Sequence, residues 1–257
     1  MLEAEATRWL RCRRPRSAPR LRLLCIPFAG GGASVFHSWA DRIGVDIEVR
    51  AVQLPGRQER FAESAPCSVT AAVTGIAEAL LALPALPLVV YGHSHGAAIA
   101  FELARSLRGL PQAPLALVVA ARAAPHCQRK RPRISGLPTA DFKDALHRTY
   151  AVPREVLDNP ELMELALPSL RADFLAVETY ECVPAAPLDI PIIALHGTKD
   201  ELVARNEMMA WREVTASTLS LFEVDAGHLF LETHQPWVLD CVAATIRSVM
   251  PRATQGR

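Results

Sequence analysis

The sequence predicts an α/β fold, a mostly parallel sheet with helices on both faces and a helical insertion. Three observations carry this. Gly92-His93-Ser94-His95-Gly96 stands between a short apolar run and an Ala-rich stretch, so a buried strand turns sharply into a helix at a serine. Other short apolar runs alternate with helix-patterned segments along the chain, as in parallel strands joined by helical crossovers. Between residues 126 and 181 the alternation stops, and helical patterns run on without a convincing strand. At 257 residues the chain is long enough for one such domain. The expected layout is a core from residues 1–125 and 182–257, with residues 126–181 inserted as a helical lid.

The elements follow in order. Residues 21–26 (Leu-Arg-Leu-Leu-Cys-Ile) make an apolar strand, and Pro27-Phe28-Ala29-Gly30-Gly31-Gly32 the loop after it. Three glycines let a backbone approach a substrate closely. They are not a phosphate cradle: no Lys-Ser/Thr follows, and no G-x-G-x-x-G opens a helix with an acidic residue further on. The loop is expected to supply an oxyanion-binding N–H, from Ala29 with Phe28 next in line. Ser68 can cap a helix whose apolar residues are Val69, Ala72, Val73, Ile76, Leu80 and Leu83. Residues 86–91 and 96–105 are the strand and helix around Ser94, and residues 115–120 are the next strand. Within the insertion, helical patterns occupy residues 139–147 and 160–180. Residues 191–197 return to a buried strand, with Asp200 just past its end, where catalytic groups of open α/β sheets gather. Residues 218–224 alternate as a strand and lead into Asp225-Ala226-Gly227-His228, where Gly227 is expected to let the loop turn His228 toward Ser94. A last helix begins near Pro236, with Val238, Cys241, Val242, Thr245 and Val249 on one face.

A serine hydroxyl is a poor nucleophile at neutral pH and needs a base, which in turn needs an orienting acid. In this strand–turn–helix setting the chain order is serine, acid, histidine. Ser94, Asp200 and His228 satisfy it. Glu201 rivals Asp200 but is expected to be solvated, and Asp225 is too close to His228 in one tight loop to bond its Nδ1. Of the eight histidines, His93 is expected to point away from the nucleophile and His196 to be structural. The N–H of His95 is placed to be the other oxyanion donor. His37, His126, His147 and His234 have no partner visible in sequence. No H-E-x-x-H or comparable spacing occurs, so neither a metal nor another cofactor is expected.

These residues together resemble the type II thioesterases that accompany polyketide and nonribosomal peptide synthases, serine hydrolases of the α/β-hydrolase fold. The resemblance rests on Pro27-Phe28-Ala29-Gly30-Gly31, Leu54-Pro55-Gly56-Arg57 with Arg60, Gly92-His93-Ser94, Arg171-Ala172-Asp173-Phe174 with Glu178 and Tyr180, Gly197 with Asp200, and Gly227-His228. These blocks span residues 9–237 in the family's order. The elbow is shared by many hydrolases, whereas Leu-Pro-Gly-Arg and Arg-Ala-Asp-Phe are much more particular. The resemblance implies a Ser94–His228–Asp200 triad, with the N–H groups of Ala29 and His95 as the oxyanion hole. The implied substrate is an acyl group on the phosphopantetheine arm of an acyl or peptidyl carrier protein, and the implied role is removal of aberrant acyl groups. One departure is His95, where the family usually has Met, so a titratable ring borders the acyl pocket. Phe28, Leu162, Met163, Leu167, Leu170 and Phe174 are the expected lining of that pocket, since such sites are mostly apolar. The plainer alternative for each insertion residue is packing onto the core.

Composition limits the rest. Half the residues are apolar and 21% charged, and the formal net charge of +1 argues for neither nucleic acid nor membrane as partner. Six cysteines lack C-x-x-C spacing. The arginine-rich N-terminus is followed by no apolar h-region, and no run approaches the ~20 residues of a membrane span, so a cytoplasmic location is expected; the expected state is a monomer. Gln128-Arg129-Lys130-Arg131-Pro132-Arg133 is the densest charge run, either a solvated face or a docking patch for an acidic carrier protein. Two rival readings remain: a general carboxylesterase or lipase using the same triad, and a catalytically silent hydrolase fold used for binding.

Overall fold

The computed structural model describes residues 2–127, 131–150 and 152–250. Its elements are α1 (Leu2–Trp9), β1 (Leu10–Arg11), β2 (Leu21–Ile26), α2 (Trp39–Arg42), β3 (Ile47–Val52), α3 (Val69–Leu81), β4 (Leu88–His93), α4 (His95–Ser106), β5 (Pro114–Ala120), α5 (Thr139–Tyr150), α6 (Arg154–Leu157), α7 (Pro160–Thr179), β6 (Ile192–Gly197), α8 (Arg205–Met209), β7 (Leu219–Val224), α9 (Phe230–Thr233) and α10 (Gln235–Val249). The seven strands form one sheet in the order β1-β3-β2-β4-β5-β6-β7. Only β1 pairs antiparallel, with β3; every other pairing is parallel. After the edge strand β1 the chain enters the middle of the sheet at β2, steps outward to β3, and returns past β2 to β4. That reversal opens a crevice at the carboxyl ends of β2 and β4, the place where open α/β sheets bind ligands.

Burial explains why the strands lack polar alternation. β2, β4 and β6 are buried along their whole length because helices cover both faces. One apolar cluster packs Leu24, Ile26, Val90 and Val119 against α1, α3, α4 and α8. The other packs Leu23, Tyr91, Val118 and Leu195 against Trp39 of α2 and Val238, Val242 and Ile246 of α10. Ser68 caps α3 by accepting a hydrogen bond from the Ala71 N–H at 3.1 Å. Edge strand β7 alternates half-buried and exposed residues, as its sequence pattern requires.

Between β5 and β6 the helices α5, α6 and α7 form a third cluster of their own, from Ile134, Phe142, Leu146, Leu157, Met163 and Phe174. Phe174 meets Phe142 and Tyr150 edge to face, and the Arg171 guanidinium lies over the Phe142 ring. Glu178 ties the segment down by accepting hydrogen bonds from the Ile134 and Ser135 N–H groups and the Ser135 hydroxyl. Tyr180 donates to Glu102 of α4 at 2.6 Å. Residues 128–130 of the basic run lie outside the described residues. Arg131 donates to the Glu201 carbonyl, and Arg133 is exposed. No described helix is long and apolar enough to cross a membrane.

Because the insertion's apolar cluster is separate from those flanking the sheet, its loss should be felt locally. Phe142→Ala removes a fully buried ring and should cost about 3–5 kcal/mol. Amide exchange should quicken across α5–α7 while β2, β4 and β6 keep their protection. A uniform rise over the sheet would mean that insertion and sheet open as one unit.

Candidate active site

Ser94 sits at φ 54°, ψ −111°, a region that costs a non-glycine residue about 1–3 kcal/mol. Close packing enforces it. A Cβ at Gly92 would overlap the Gly96 carbonyl, and one at Gly96 would overlap the Ile26 carbonyl at the end of β2. Strand β4, helix α4 and the loop after β2 thus touch backbone to backbone, and the Ser94 N–H is held by the Ala120 carbonyl at 2.8 Å. The hydroxyl is left projecting over the carboxyl ends of the strands.

The geometry brings Ser94, His228 and Asp200 into one line. Ser94 Oγ lies 2.8 Å from His228 Nε2, and His228 Nδ1 lies 2.8 Å from Asp200 Oδ2. A carboxylate can only accept, so Nδ1 carries the proton and Nε2 is free to take one from the hydroxyl. The Asp200 side chain has no exposed surface, and its Oδ1 accepts from the Leu202 and Val203 N–H groups at 2.8 and 3.2 Å. Burial pushes its pKa up, but the His228 bond and charge and those two N–H groups outweigh that and hold it below the usual value. Glu201 is exposed, and Asp225 is paired with Lys199 at 2.9 Å, so neither competes for His228.

His93 has a role that its sequence position did not reveal. It makes no bond to Ser94, but its Nε2 donates to the His228 backbone carbonyl at 2.9 Å. Its ring is edge-on to Phe28, His228 and Phe230. Burial, helped by the nearby His228, lowers its pKa to about 3, so it is a neutral strut under the loop that carries the base. His196 is structural, bonded to Glu223 and the Val203 carbonyl. The expectation for Gly227 is corrected. Its φ is not in the left-handed region, and a Cβ there would meet only the Lys199 carbonyl, at 3.9 Å. The glycine that needs to be bare is Gly197, where a Cβ would overlap the Ala226 carbonyl and lie 2.8 Å from that of Gly227.

Two backbone N–H groups are the expected oxyanion donors. That of His95 opens α4 and has no helical carbonyl four residues before it. That of Ala29 lies in a tight turn closed by Gly31 N–H on the Phe28 carbonyl at 2.9 Å. Side chains fix the rest of this turn. Asp173 Oδ2 accepts from Gly30 N–H at 2.7 Å and from Arg57 at 2.6 Å, Asp173 Oδ1 accepts from Arg57 at 2.8 Å, and Arg57 also donates to the Gly31 carbonyl at 3.2 Å. Both side chains are buried. The Leu-Pro-Gly-Arg and Arg-Ala-Asp-Phe blocks, distant in sequence, therefore meet in one ion pair on the glycine loop. No periodicity could have signalled this; an arginine in one short motif and an aspartate in the other were the only hint.

The expected pocket residues divide. Phe28 is half-buried against His93, Leu170 presses on Gly30, and Leu167 is half-buried. Met163 and Phe174 are buried in the insertion's cluster, against which Leu167, Leu170 and Ala29 also pack, and Leu162 is 50% exposed. A groove of about 650 Å³ opens between α3, α4 and the end of α7, lined in part by Val73, Glu102, Arg105 and Tyr180; it includes neither Ser94 nor any expected pocket residue. His95 is buried, and among the described residues its Nδ1 has no hydrogen-bond partner. Burial lowers its pKa to about 4; Asp173 opposes this, and Arg122 and Arg57 add to it.

A mostly parallel seven-stranded sheet carrying a serine elbow, with acid and histidine after the last two strands, is the α/β-hydrolase architecture. Within that architecture the chain belongs to the thioesterase domain family, whose sequence profile matches residues 21–247. It is 35% identical over 248 residues to the gramicidin S biosynthesis protein GrsT of Aneurinibacillus migulanus, covering 96% of this chain and 97% of that one. Among solved structures it is similar to the type II thioesterase BorB from the borrelidin biosynthetic cluster, with TM-score 0.86 and 35% identity over 93% of this chain and 98% of that one. YbtT, a type II thioesterase from the yersiniabactin NRPS/PKS pathway, gives TM-score 0.82 and 30% identity over 93% and 97%.

The two buried histidines make stability depend on pH. Folded, they bind protons only near pH 4 and 3, whereas unfolded they do so near 6.5. The unfolded state gains protons first, so stability is full above about pH 6.5 and falls as the pH drops toward 4. For His95 the loss at pH 5 is on the order of 2 kcal/mol. His95→Met should flatten the fall in Tm between pH 7 and 5; an unchanged slope would assign it to other groups.

Proposed function

We propose that this chain hydrolyses acyl thioesters on the phosphopantetheine arm of acyl or peptidyl carrier proteins, clearing aberrant acyl groups in polyketide or nonribosomal peptide assembly. The observation that carries the reading is the line of 2.8 Å bonds from Ser94 through His228 to Asp200 in a member of the thioesterase family. The likeness to BorB and YbtT, type II thioesterases of such pathways, supports the carrier-bound substrate.

In this reading Ser94 Oγ attacks the thioester carbonyl and passes its proton to His228 Nε2. The carbonyl oxygen becomes an oxyanion held by the Ala29 and His95 N–H groups. Reformation of the carbonyl breaks the C–S bond, and His228 gives its proton to the departing pantetheine sulfur. Water then attacks the acyl-serine, loses a proton to His228, and the acid leaves as Ser94 regains its hydrogen. Asp200 holds the ring in the required tautomer and stabilises the imidazolium. Phe28, Leu170 and Leu167 border the acyl chain, with the His95 ring as a polar element beside it.

Ser94→Ala and His228→Ala should each lower turnover by several orders of magnitude, with the double variant little worse. Asp200→Asn should lose roughly a thousandfold or more with the fold intact, while Glu201→Gln stays near wild type; the reverse pattern would make Glu201 the acid. A panel of acyl groups on carrier proteins, on small thiols and on matched oxygen esters, read by mass spectrometry, tests the substrate class. Faster cleavage of the oxygen esters would favour a general esterase.

Docking of an acidic carrier on the basic run makes a separate prediction. Arg129→Glu with Arg133→Glu, sparing Arg131 because it bonds the Glu201 carbonyl beside the acid, should lower kcat/KM for carrier substrates and leave a neutral thioester mimic untouched. The loss should shrink as salt is raised, since the Debye length is about 8 Å at physiological ionic strength. Equal losses on both substrates would place the damage in the fold.

A further inference from the structure

An oxyanion donor cannot be held by its own N–H, which must stay free for the substrate. It has to be aimed by its neighbours. For Ala29 those neighbours are the peptide groups that follow: the second closes the turn on the Phe28 carbonyl, and the first and third are gripped by side chains from outside the loop. Gly30 N–H is held by Asp173, and the Gly31 carbonyl by Arg57. The Leu170 side chain closes the same turn, lying 2.6 Å from where a Cβ on Gly30 would stand, and Gly30 has φ +80°. On the far side, Gln53 accepts from the Ala33 N–H at 2.9 Å. Gln53 and Arg57 come from the loop after β3, part of the fixed core. Asp173 and Leu170 come from α7, the long helix of the insertion.

We propose that Asp173 is a positioning residue for hydrolysis: from the lid helix it aims the Ala29 N–H, so that the oxyanion hole is complete only while α7 is seated on the core. Arg57 is its counter-charge. Without Arg57 a buried carboxylate would stand one residue from the site where the substrate's own negative charge develops, and it would oppose that charge. With Arg57 in bidentate contact, the carboxylate can accept the Gly30 N–H without raising the barrier. Lid seating and catalytic competence then become one event, because the same helix turn that places Leu170 and Asp173 also shapes the loop. This inference rests on the proposed oxyanion role of Ala29 and extends it.

The test separates aiming from mere stability. Asp173→Ala removes both the Gly30 acceptor and the partner of Arg57. Asp173→Asn keeps an oxygen for Gly30 N–H but also leaves Arg57 without its counter-charge. Both should therefore lower the melting temperature, and only the first should strongly lower kcat: about a hundredfold for Ala against about threefold for Asn, with KM for a small thioester mimic within about twofold in each. Affinity for a trifluoromethyl ketone analogue, whose adduct with Ser94 places an oxyanion in the hole, should fall in parallel with kcat.

If Asp173→Ala does not fold, Arg57→Met with Asp173→Leu removes both buried charges together and keeps the volume apolar. It should melt near wild type yet show the same hundredfold loss. Phe142→Ala, which loosens the insertion's core but removes no hydrogen bond to the loop, is the control for lid stability, and a loss of kcat there as large as that of Asp173→Ala would overturn the aiming role. Equal kcat for Asp173→Ala and wild type, equal losses for Ala and Asn, or full activity in the double variant would each overturn the proposal. A wild-type protein that neither cleaves thioesters nor binds the ketone would instead sink the functional reading beneath it.

Discussion

The site depends on one close approach of backbone to backbone. Helix α4 begins so near the end of β2 that Gly96 has no room for a side chain against the Ile26 and Pro27 carbonyls. This contact does three things at once. It forces the strained backbone at Ser94, which lifts the hydroxyl clear of the chain. It brings the free N–H at the start of α4 beside the loop that carries Ala29. It also fixes the spacing between Ser94 and the proposed oxyanion donors by main-chain packing, which thermal motion of side chains cannot loosen. The strain is sustained because the sheet around it is buried on both faces and has no freedom to relax.

The base and its acid are held more indirectly. His228 and Asp200 ride on loops, and each loop is tied by bonds that are not part of the proton path. His93 holds the His228 carbonyl from below, and the Leu202 and Val203 N–H groups hold Asp200 from behind. These bonds keep the ring and the carboxylate at hydrogen-bonding distance without either moving. They also keep the acid ionised where burial alone would favour the neutral form. The imidazolium formed during turnover is thus met by a charge already in place.

Much of this was legible in the sequence, and the reason differs from part to part. Strands β2, β4, β5 and β6 show as apolar runs because both faces of the sheet are covered, and α3 shows by its capping serine and apolar spacing. The meeting of Ser94, Asp200 and His228 was readable because all three follow the carboxyl ends of strands in one sheet. The two-residue strand β1 was not, since its pairing with β3 leaves no periodicity to detect. Gly227 was credited with a turn that Gly197 makes possible, because crowding against a neighbouring strand end has no local signature. Met163, Leu167, Leu170 and Phe174 recur along one face of α7, and only the folded chain shows that Ala29 of the glycine loop packs against the same cluster. The meeting of Arg57 with Asp173 spans 116 residues and could come only from the folded chain.

The order of the parts along the chain has a consequence for how the protein is made. Ser94 lies in the first half, whereas its base comes 134 residues later and the acid only 28 residues before that base. The intervening loop contains the whole insertion. Contacts of such long range form late, because the entropy of closing the loop is lost before the contact gives anything back. A chain emerging from synthesis N-terminus first therefore completes the elbow while nothing is present to draw off its proton. The hydroxyl stays as unreactive as any other serine until β7 and the loop behind it have docked. Timing is written into connectivity: the nucleophile is built first and armed last.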